Sequence, residues 1–173
     1  MADLSDRLSR LRLIVFDVDG VFTDGRFLMD EDGREYKTFH TQDGYGVRRL
    51  LEAGVQVAVI SGRRSGAVDR RMAELGVTRV VQGCRHKIPE LHALAQELGI
   101  DLAEAAYVGD DLPDREAMRA CGLAIAVANA VPDIVAEADY VTARGGGHGA
   151  VREVADLVLA ARLAAAGDGG ASA

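Results

Sequence analysis

The sequence predicts an α/β fold in which a parallel sheet carries helices on both faces. Two observations support it: strand-like apolar runs alternate with helical segments along most of the 173 residues, and polar residues directly follow several of the predicted strands. This alternation is typical of a doubly wound (Rossmann-like) sheet, in which right-handed crossovers connect parallel strands. A protruding β-hairpin near the amino terminus is the one predicted interruption.

The first strand is the apolar run that starts at Leu13 and ends in Asp17, Val18, Asp19 and Gly20. Apolar residues in succession predict a strand that is buried on both faces. Side chains alternate along a strand, so Asp17 and Asp19 point to the same side. Two such carboxylates repel each other when partly buried, and a divalent cation such as Mg²⁺ relieves the repulsion. The simpler interpretation is a strand that stops at a polar turn.

The hairpin is predicted over residues 21–40, because turn-forming residues at 30–33 separate two strand-like runs. Thr41 or Asp43 caps the helix that follows, and Gly54 ends it. The later elements alternate in chain order: strand 55–60, helix 65–75, strand 78–82, helix 87–98, strand 105–108, helix 114–121, strand 123–127, helix 132–138, strand 140–142, a glycine-rich loop at 144–149 and helix 150–163.

The composition indicates one folded domain over residues 11–163, preceded by a polar segment at 1–10 and followed by a disordered tail at 164–173. A formal net charge of −7 argues against nucleic acid or an anionic membrane as a partner. No long apolar span or secretory signal is visible, so we expect a cytoplasmic protein. Cys84 and Cys121 are too few for a disulfide framework.

Polar residues lie at the ends of four predicted strands. Asp17 and Asp19 close the first, Ser61 closes the second, Lys87 opens the helix after the third, and Asp110 and Asp111 close the fourth. Each group alone has an ordinary explanation, such as a helix cap, a surface lysine or a capped turn. Ligands of open parallel sheets bind at the carboxyl ends of the strands, so the four groups are expected to converge on one site.

Together these groups have the chemistry of a phosphate site. A carboxylate is a possible nucleophile toward phosphorus, and Mg²⁺ held by acids from two strands offsets its repulsion with the phosphate. The Ser61 hydroxyl and the Lys87 ammonium would hold phosphoryl oxygens. Asp19 would protonate the leaving oxygen and later activate water.

The motifs resemble those of a known superfamily. The groups around Asp17 to Gly20, Ser61 to Arg63, Lys87 and Gly109 to Asp114 are similar to the four motifs of the haloacid dehalogenase superfamily of phosphatases. The segments 39–44, 82–83 and 145–154 resemble, more narrowly, the 3-deoxy-D-manno-octulosonate 8-phosphate phosphatases of lipopolysaccharide synthesis. The resemblance spans residues 11–163 and implies a Mg²⁺-dependent phosphoric monoester hydrolase that forms an aspartyl-phosphate.

The resemblance also implies residue roles. Asp17 would be the nucleophile and a metal ligand, and Asp19 the general acid/base with its backbone carbonyl on Mg²⁺. Asp110 would be the third protein ligand, with Asp111 orienting the site. Ser61 and Lys87 would bind the phosphoryl group. The implied contacts to the sugar acid are His40, Thr41, Gln42, Asp43, Gly44, Arg48, Arg63 and Arg71. A substrate with both a carboxylate and a phosphate needs more cationic partners than Lys87 alone, which agrees with the arginines.

The predicted site has no cap domain. The segments between Gly20 and Ser61 and between Ser61 and Lys87 are too short to form a cap with its own core. A hairpin with bare apolar side chains at Val21, Phe22, Phe27, Leu28, Tyr36 and Phe39 is expected to be covered by another subunit. The resemblance implies a homotetramer, and the loop at 144–149 is either a lid on a neighbouring active site or a flexible connector.

Alternatives remain open at this stage. A receiver domain of a signalling pathway uses similar residues, but its phospho-acceptor lies on the third strand, where this chain has Gln82 and Gly83. An inactive assembly module is disfavoured because Asp17, Asp19, Lys87 and Asp110 are all present. Gln42 stands where similar sequences often carry arginine, so a different acidic sugar phosphate, such as a nonulosonate 9-phosphate, is the alternative substrate. Mn²⁺ or Co²⁺ in place of Mg²⁺ also remains possible.

Overall fold

The computed structural model describes residues 3–169. The elements in chain order are α1 (Leu4–Ser9), β1 (Leu13–Phe16), β2 (Leu28–Met29), β3 (Glu35–Tyr36), α2 (Thr41–Glu52), β4 (Gln56–Ser61), α3 (Gly66–Leu75), β5 (Arg79–Gln82), α4 (Lys87–Leu98), β6 (Ala105–Gly109), α5 (Arg115–Ala120), β7 (Leu123–Ala126), α6 (Pro132–Val135), β8 (Tyr140–Val141) and α7 (Ala150–Gly169). Short 3₁₀ turns cover Leu102–Glu104 and Leu112–Asp114.

Six parallel strands form the central sheet in the order β5-β4-β1-β6-β7-β8. Strand β1 lies in the middle and pairs with both β4 and β6, so the chain winds outward from it in two directions. The crevice where the winding direction reverses is the usual ligand site of such a sheet. The predicted doubly wound parallel sheet is therefore confirmed, and its topology places the end of β1 at that crevice.

The two faces of the sheet bury separate apolar clusters, as the alternation of side chains along a strand requires. Ile14 and Phe16 pack into the cluster covered by α1, α2 and α7, whereas Leu13 and Val15 pack on the side of α4 and α5. All four residues of β1 are fully buried. The strand that carries the first acids is thus held by buried contacts on both faces of the sheet.

The ends of the chain are more ordered than the sequence predicts. Within the polar segment 1–10, α1 buries Leu8 and contacts α7. Helix α7 continues to Gly169, so residues 164–169 of the predicted disordered tail are helical. Alanine, which has the highest helix propensity, occupies positions 164–166 and continues α7 beyond Leu163. Residues 170–173 of the predicted tail lie outside the described residues.

The hairpin is shorter than predicted, because Leu28 and Met29 pair with only Tyr36 and Glu35. The expectation that Val21 and Phe22 are exposed is wrong. Both side chains are buried, because the chain turns back after β1 and packs Phe22 edge-on against Phe16 at a centroid distance of 5.3 Å. Phe39 also packs partly against the core. The exposed apolar residues of the hairpin are Phe27, Leu28, Met29 and Tyr36.

No cap domain is present in the described part of the chain, as predicted: the segment around the hairpin and the segment from Ser61 to Lys87 add only the elements named above. Among the helices over residues 3–169, none is long and apolar enough to cross a membrane.

Candidate active site

The carboxyl ends of β1, β4 and β6 and the start of α4 line one cleft of about 320 Å³. Asp17, Asp19, Ser61, Lys87 and Asp110 all line it. Asp111, Asp114, Arg63 and Pro113 also contribute, together with Gly25 from the chain that leaves β1. The sequence predicted that the four polar groups converge, and the structure brings them together.

A buried lysine lies between two carboxylates at the centre of the cleft. The Lys87 ammonium is 2.8 Å from Asp17 Oδ1 and 2.6 Å from Asp114 Oδ1, and all three side chains are buried. Burial and, to a smaller extent, the charge of Asp114 raise the pKa of Asp17, Lys87 opposes them, and the net pKa is about 6. Burial alone lowers the pKa of Lys87, but the two carboxylates outweigh it, so that pKa lies above its usual value. Lys87 therefore stays cationic at neutral pH.

Gly20 allows Asp110 to approach the end of β1. The backbone of Gly20 has φ +93°, and a Cβ there would lie 2.0 Å from Asp110 Oδ2. Both the backbone conformation and the contact therefore require glycine. Burial raises the pKa of Asp110 to about 8, with further contributions from the charges of Asp17, Asp114 and Asp111.

One carboxylate oxygen from each of Asp17, Asp110 and Asp114 lies within 4.8 Å of the other two. Burial and mutual repulsion raise the pKa values of Asp17 and Asp110, and Lys87 supplies only one compensating charge. Carboxylate oxygens are hard ligands of the kind that Mg²⁺ prefers, and these carry more negative charge than the nearby lysine offsets. The residues present therefore fit a divalent cation, as the sequence predicted.

Asp114 organises the site, a role that the sequence motifs did not predict for it. Its Oδ1 accepts hydrogen bonds from Lys87 and from the Tyr107 hydroxyl at 3.1 Å, and its Oδ2 accepts from the backbone N–H groups of Asp110 and Asp111 at 3.0 and 3.3 Å. Asp111 in turn accepts from the N–H of Leu112, so Asp111 and Asp114 form a capping box. The spacing Asp-x-x-Asp was the available signal for this structure.

The hairpin supplies two charged residues that the sequence did not single out. Lys37, which is 1% exposed, forms an ion pair with Asp19 and a second with Glu35 at 3.0 Å. Glu35 also binds Arg63 at 2.5 Å, and the Arg63 guanidinium stacks on the Phe27 ring at 4.3 Å. Asp19 is therefore connected to the hairpin on one side and faces the cleft on the other.

Most of the predicted sugar contacts do not line this cleft. The His40 ring caps α2 by accepting from the N–H of Gln42, and Gln42 accepts from Arg144 at 3.3 Å. Asp43 is buried, and its Oδ1 accepts a hydrogen bond from the N–H of Arg152 at 2.8 Å. Burial raises the pKa of Asp43. In this chain Asp43 therefore joins α2 to the start of α7 instead of facing the cleft, and Thr41 begins α2 beside it.

Of the three predicted arginines, only Arg63 reaches the cleft. Arg71 pairs with Glu74 at 2.9 Å, and Arg48 donates to the Glu74 carbonyl at 3.1 Å. Gly44 makes room for Arg71, because a Cβ on Gly44 would lie 2.3 Å from Arg71 Nη2. Arg71, Arg48 and Glu74 thus connect α2 to α3.

The glycine-rich loop at 144–149 is held against its own chain and is not a loose connector. Gly146 donates to Asn129 Oδ1 at 2.6 Å, and the Asn129 amide donates to the carbonyl of Gly20 at 3.1 Å. Gly147 donates to the carbonyl of Val21 at 3.1 Å. A Cβ on Gly146 would lie 1.8 Å from that same Gly20 carbonyl, so the loop packs closely against the turn after β1 and holds it.

Comparison with known proteins points to one family. A family model described as haloacid dehalogenase-like hydrolase matches residues 80–153. The 3-deoxy-D-manno-octulosonate 8-phosphate phosphatase KdsC of Escherichia coli (strain B / BL21-DE3) is 45% identical over 161 residues, which are 93% of this chain and 86% of the relative.

Solved structures give the same picture. The crystal structure of 3-deoxy-D-manno-octulosonate 8-phosphate phosphatase from Yersinia pestis superposes with a TM-score of 0.91 at 43% identity, covering 92% of this chain and 86% of that one. The enzyme from Moraxella catarrhalis, solved with a magnesium ion, a phosphate ion and KDO, superposes with a TM-score of 0.90 at 42% identity, covering 92% and 91%.

Proposed function

The chain belongs to the 3-deoxy-D-manno-octulosonate 8-phosphate phosphatases among the haloacid dehalogenase-like hydrolases, and we propose that it hydrolyses that sugar phosphate with Mg²⁺. The products are inorganic phosphate and the free sugar acid, a precursor of lipopolysaccharide. The observation that carries the proposal is the cleft at the end of β1, where Asp17 and Asp110 crowd beside the buried Lys87. That combination suits one phosphate dianion and one divalent cation.

The metal would be held by carboxylates of Asp17 and Asp110 and by the backbone carbonyl of Asp19. Its charge would offset the repulsion between these acids and an incoming phosphate. The relative from Moraxella catarrhalis, solved with a magnesium ion and a phosphate ion, supports this assignment. Asp114 is close enough to join the cluster, but its two oxygens already accept four hydrogen bonds, so we assign it to holding the loop.

The first chemical step is phosphoryl transfer to Asp17. Lys87 and the Ser61 hydroxyl bind the phosphoryl oxygens and stabilise the charge that develops on them. A carboxylate oxygen of Asp17 attacks phosphorus, the bond from phosphorus to the sugar oxygen breaks, and Asp19 gives its proton to that oxygen.

The second step regenerates the enzyme. Asp19, now a carboxylate, takes a proton from water as the water oxygen attacks phosphorus. The bond between phosphorus and Asp17 breaks and phosphate leaves. One water is consumed per turnover, and both carboxylates return to their starting states.

We further propose that the protein works as a homotetramer. Phe27, Leu28, Met29 and Tyr36 are exposed together on the hairpin, and apolar side chains on so small an element need a cover. Because residues 40–44, Arg48 and Arg71 do not line the cleft of their own chain, the assembly also offers them a route to a substrate bound in a neighbouring subunit.

The test is phosphate release from a panel of sugar phosphates, with and without Mg²⁺. We expect the highest kcat/KM for 3-deoxy-D-manno-octulosonate 8-phosphate and little turnover after chelation of the metal. Higher kcat/KM for a nonulosonate 9-phosphate, or for a neutral sugar phosphate, would refute the substrate assignment and leave the phosphatase chemistry intact.

A further inference from the structure

The chain contains only two lysines, Lys37 and Lys87, among 20 basic residues, and the other 18 are arginines. Both lysine side chains are almost completely buried, at 1% and 3% exposure. Each binds one of the two acids that follow β1: Lys87 binds Asp17, and Lys37 binds Asp19. The only two ammonium groups on side chains are therefore each paired with one of the two acids that line the cleft after β1.

Lysine and arginine differ in a way that makes this distribution informative. An ammonium is a compact point charge on a flexible stem, whereas a guanidinium is planar and binds best in a two-pronged geometry. On the outer surface, where either suffices, this chain uses arginine throughout. Lysine is kept at the two positions where a buried ammonium pairs with an acid of the cleft. Lys87 binds phosphoryl oxygens in the proposed reaction, whereas that reaction assigns no role to Lys37.

The environment of Lys37 is built to hold it in place. Glu35 lies 3.0 Å from the ammonium and is itself held by Arg63 at 2.5 Å. The ring of Phe27 lies over both cations, 5.9 Å from the Lys37 ammonium and 4.3 Å from the Arg63 guanidinium. Arg63 Nε approaches the second oxygen of Asp19 at 3.7 Å. Asp19 is thus contacted by a cation on each of its two oxygens.

We propose that Lys37 is a positioning residue for the proposed reaction: its ammonium fixes the orientation of the Asp19 carboxyl so that the other oxygen meets the leaving sugar oxygen. This inference rests on the proposed function of Asp19 as proton donor. In the step concerned, the bond between phosphorus and the sugar oxygen breaks, and the proton moves from Asp19 to that oxygen. Lys37 makes no contact with phosphorus and changes no bond.

The proposal is distinct from a structural role of Lys37 in holding the hairpin down. A structural role predicts equal losses for all phosphate esters, since every ester needs the same cleft. A positioning role predicts a loss that depends on the leaving group. A sugar alkoxide leaves poorly without a proton, whereas p-nitrophenolate is stable enough to leave without one.

The experiment compares kcat/KM of wild type and Lys37→Met for 3-deoxy-D-manno-octulosonate 8-phosphate and for p-nitrophenyl phosphate at saturating Mg²⁺. The constant kcat/KM covers the steps up to departure of the alcohol, so it reports on proton donation to the leaving group. We expect a loss of about 30-fold or more for the sugar phosphate and less than about 3-fold for p-nitrophenyl phosphate; complete loss of a general acid costs about 10²–10⁴-fold, and Asp19 itself is retained in the variant. Lys37→Arg should recover part of the loss.

Arg34→Met is the matched control, because it removes an exposed hairpin cation whose ion pair within residues 3–169 is with the exposed Asp32, at 3.9 Å. It should leave both constants unchanged. Equal losses for the two substrates in Lys37→Met, or no loss for either, would overturn the positioning role. If Lys37→Met does not fold, Glu35→Gln replaces it and should give a smaller loss with the same dependence on leaving group. A wild-type protein that hydrolyses neither ester overturns the proposed function itself.

Discussion

Asp114→Asn tests whether Asp114 holds the active-site loop. The two carboxylate oxygens of Asp114 accept from four donors: Lys87 and Tyr107 on one side, and the backbone N–H groups of Asp110 and Asp111 on the other. Asparagine has one oxygen and one NH₂ group. Whichever way the amide points, its NH₂ faces two donors and leaves them without an acceptor.

The size of the loss follows from burial. Asp114 is 1% exposed, so water cannot replace the missing acceptor. Each buried donor left unpaired costs about 1–3 kcal/mol, and breaking one side of a buried ion pair costs about 3–5 kcal/mol. We expect a loss of about 3–5 kcal/mol in the free energy of unfolding. For a chain of this size, this corresponds to about 6–20 °C in Tm.

The assay is urea denaturation of the metal-free protein at neutral pH, with Asp133→Asn as the control. Asp133 pairs with Arg115 at 3.2 Å, and its side chain is 67% exposed. Loss of such an exposed pair should change stability by less than about 1 kcal/mol. Similar stability losses in the two variants would refute the assignment of Asp114 as the residue that holds the loop.

The remaining predictions concern the metal, the turn and the assembly. Because Asp17 and Asp110 have raised pKa values of about 6 and about 8, the folded metal-free chain binds more protons than the unfolded one above their usual value of 3.8. The stability of the metal-free chain should therefore fall as pH rises from about 4 to about 8, and Mg²⁺ should bind with proton release and more weakly at lower pH. Calorimetry of Mg²⁺ binding in buffers of different ionisation enthalpy measures the released protons. An affinity for Mg²⁺ that does not change with pH would contradict the prediction. Gly20→Ala should weaken Mg²⁺ binding at least about tenfold, because the new Cβ displaces Asp110 and strains the positive φ at a cost of about 1–2 kcal/mol. A Mg²⁺ titration identical to that of the wild type would contradict the close approach of Asp110 to Gly20. Leu28→Glu should dissociate the tetramer, whereas Leu163→Glu, at an equally exposed position on α7, should not. Light scattering after size-exclusion chromatography measures the mass of each variant. A monomeric wild-type protein would contradict the proposed assembly.

The fold and the centre of the site were accessible from the sequence because both depend on local patterns. Successive apolar residues predict buried strands, and the strand periodicity of two places Asp17 and Asp19 on one side. Parallel strands end at one edge, which brings Ser61, Lys87 and Asp110 to the same cleft. None of these inferences requires knowing a specific contact between distant residues.

The missed features depend on specific contacts between distant segments. Lys37 meets Asp19 from 18 residues away, through a hairpin whose fold-back over the cleft has no local signature. Asp43 is bound by the N–H of Arg152, 109 residues away, so a side chain expected at the substrate instead joins α2 to α7. Val21 and Phe22 are buried because of the turn after β1. Without knowledge of that turn, the sequence pattern assigns them to the exposed hairpin.

The central claim is that Asp17 carries the phosphoryl group during turnover. Its most direct test is acid quench of the enzyme during steady-state hydrolysis of 3-deoxy-D-manno-octulosonate 8-phosphate, followed by mass spectrometry of peptides prepared at low pH. The account predicts one phosphoryl group on the peptide that contains Asp17, lost when hydroxylamine is added and not formed by Asp17→Asn. Turnover with a phosphoryl group on a different residue, or full activity in Asp17→Asn, would contradict it.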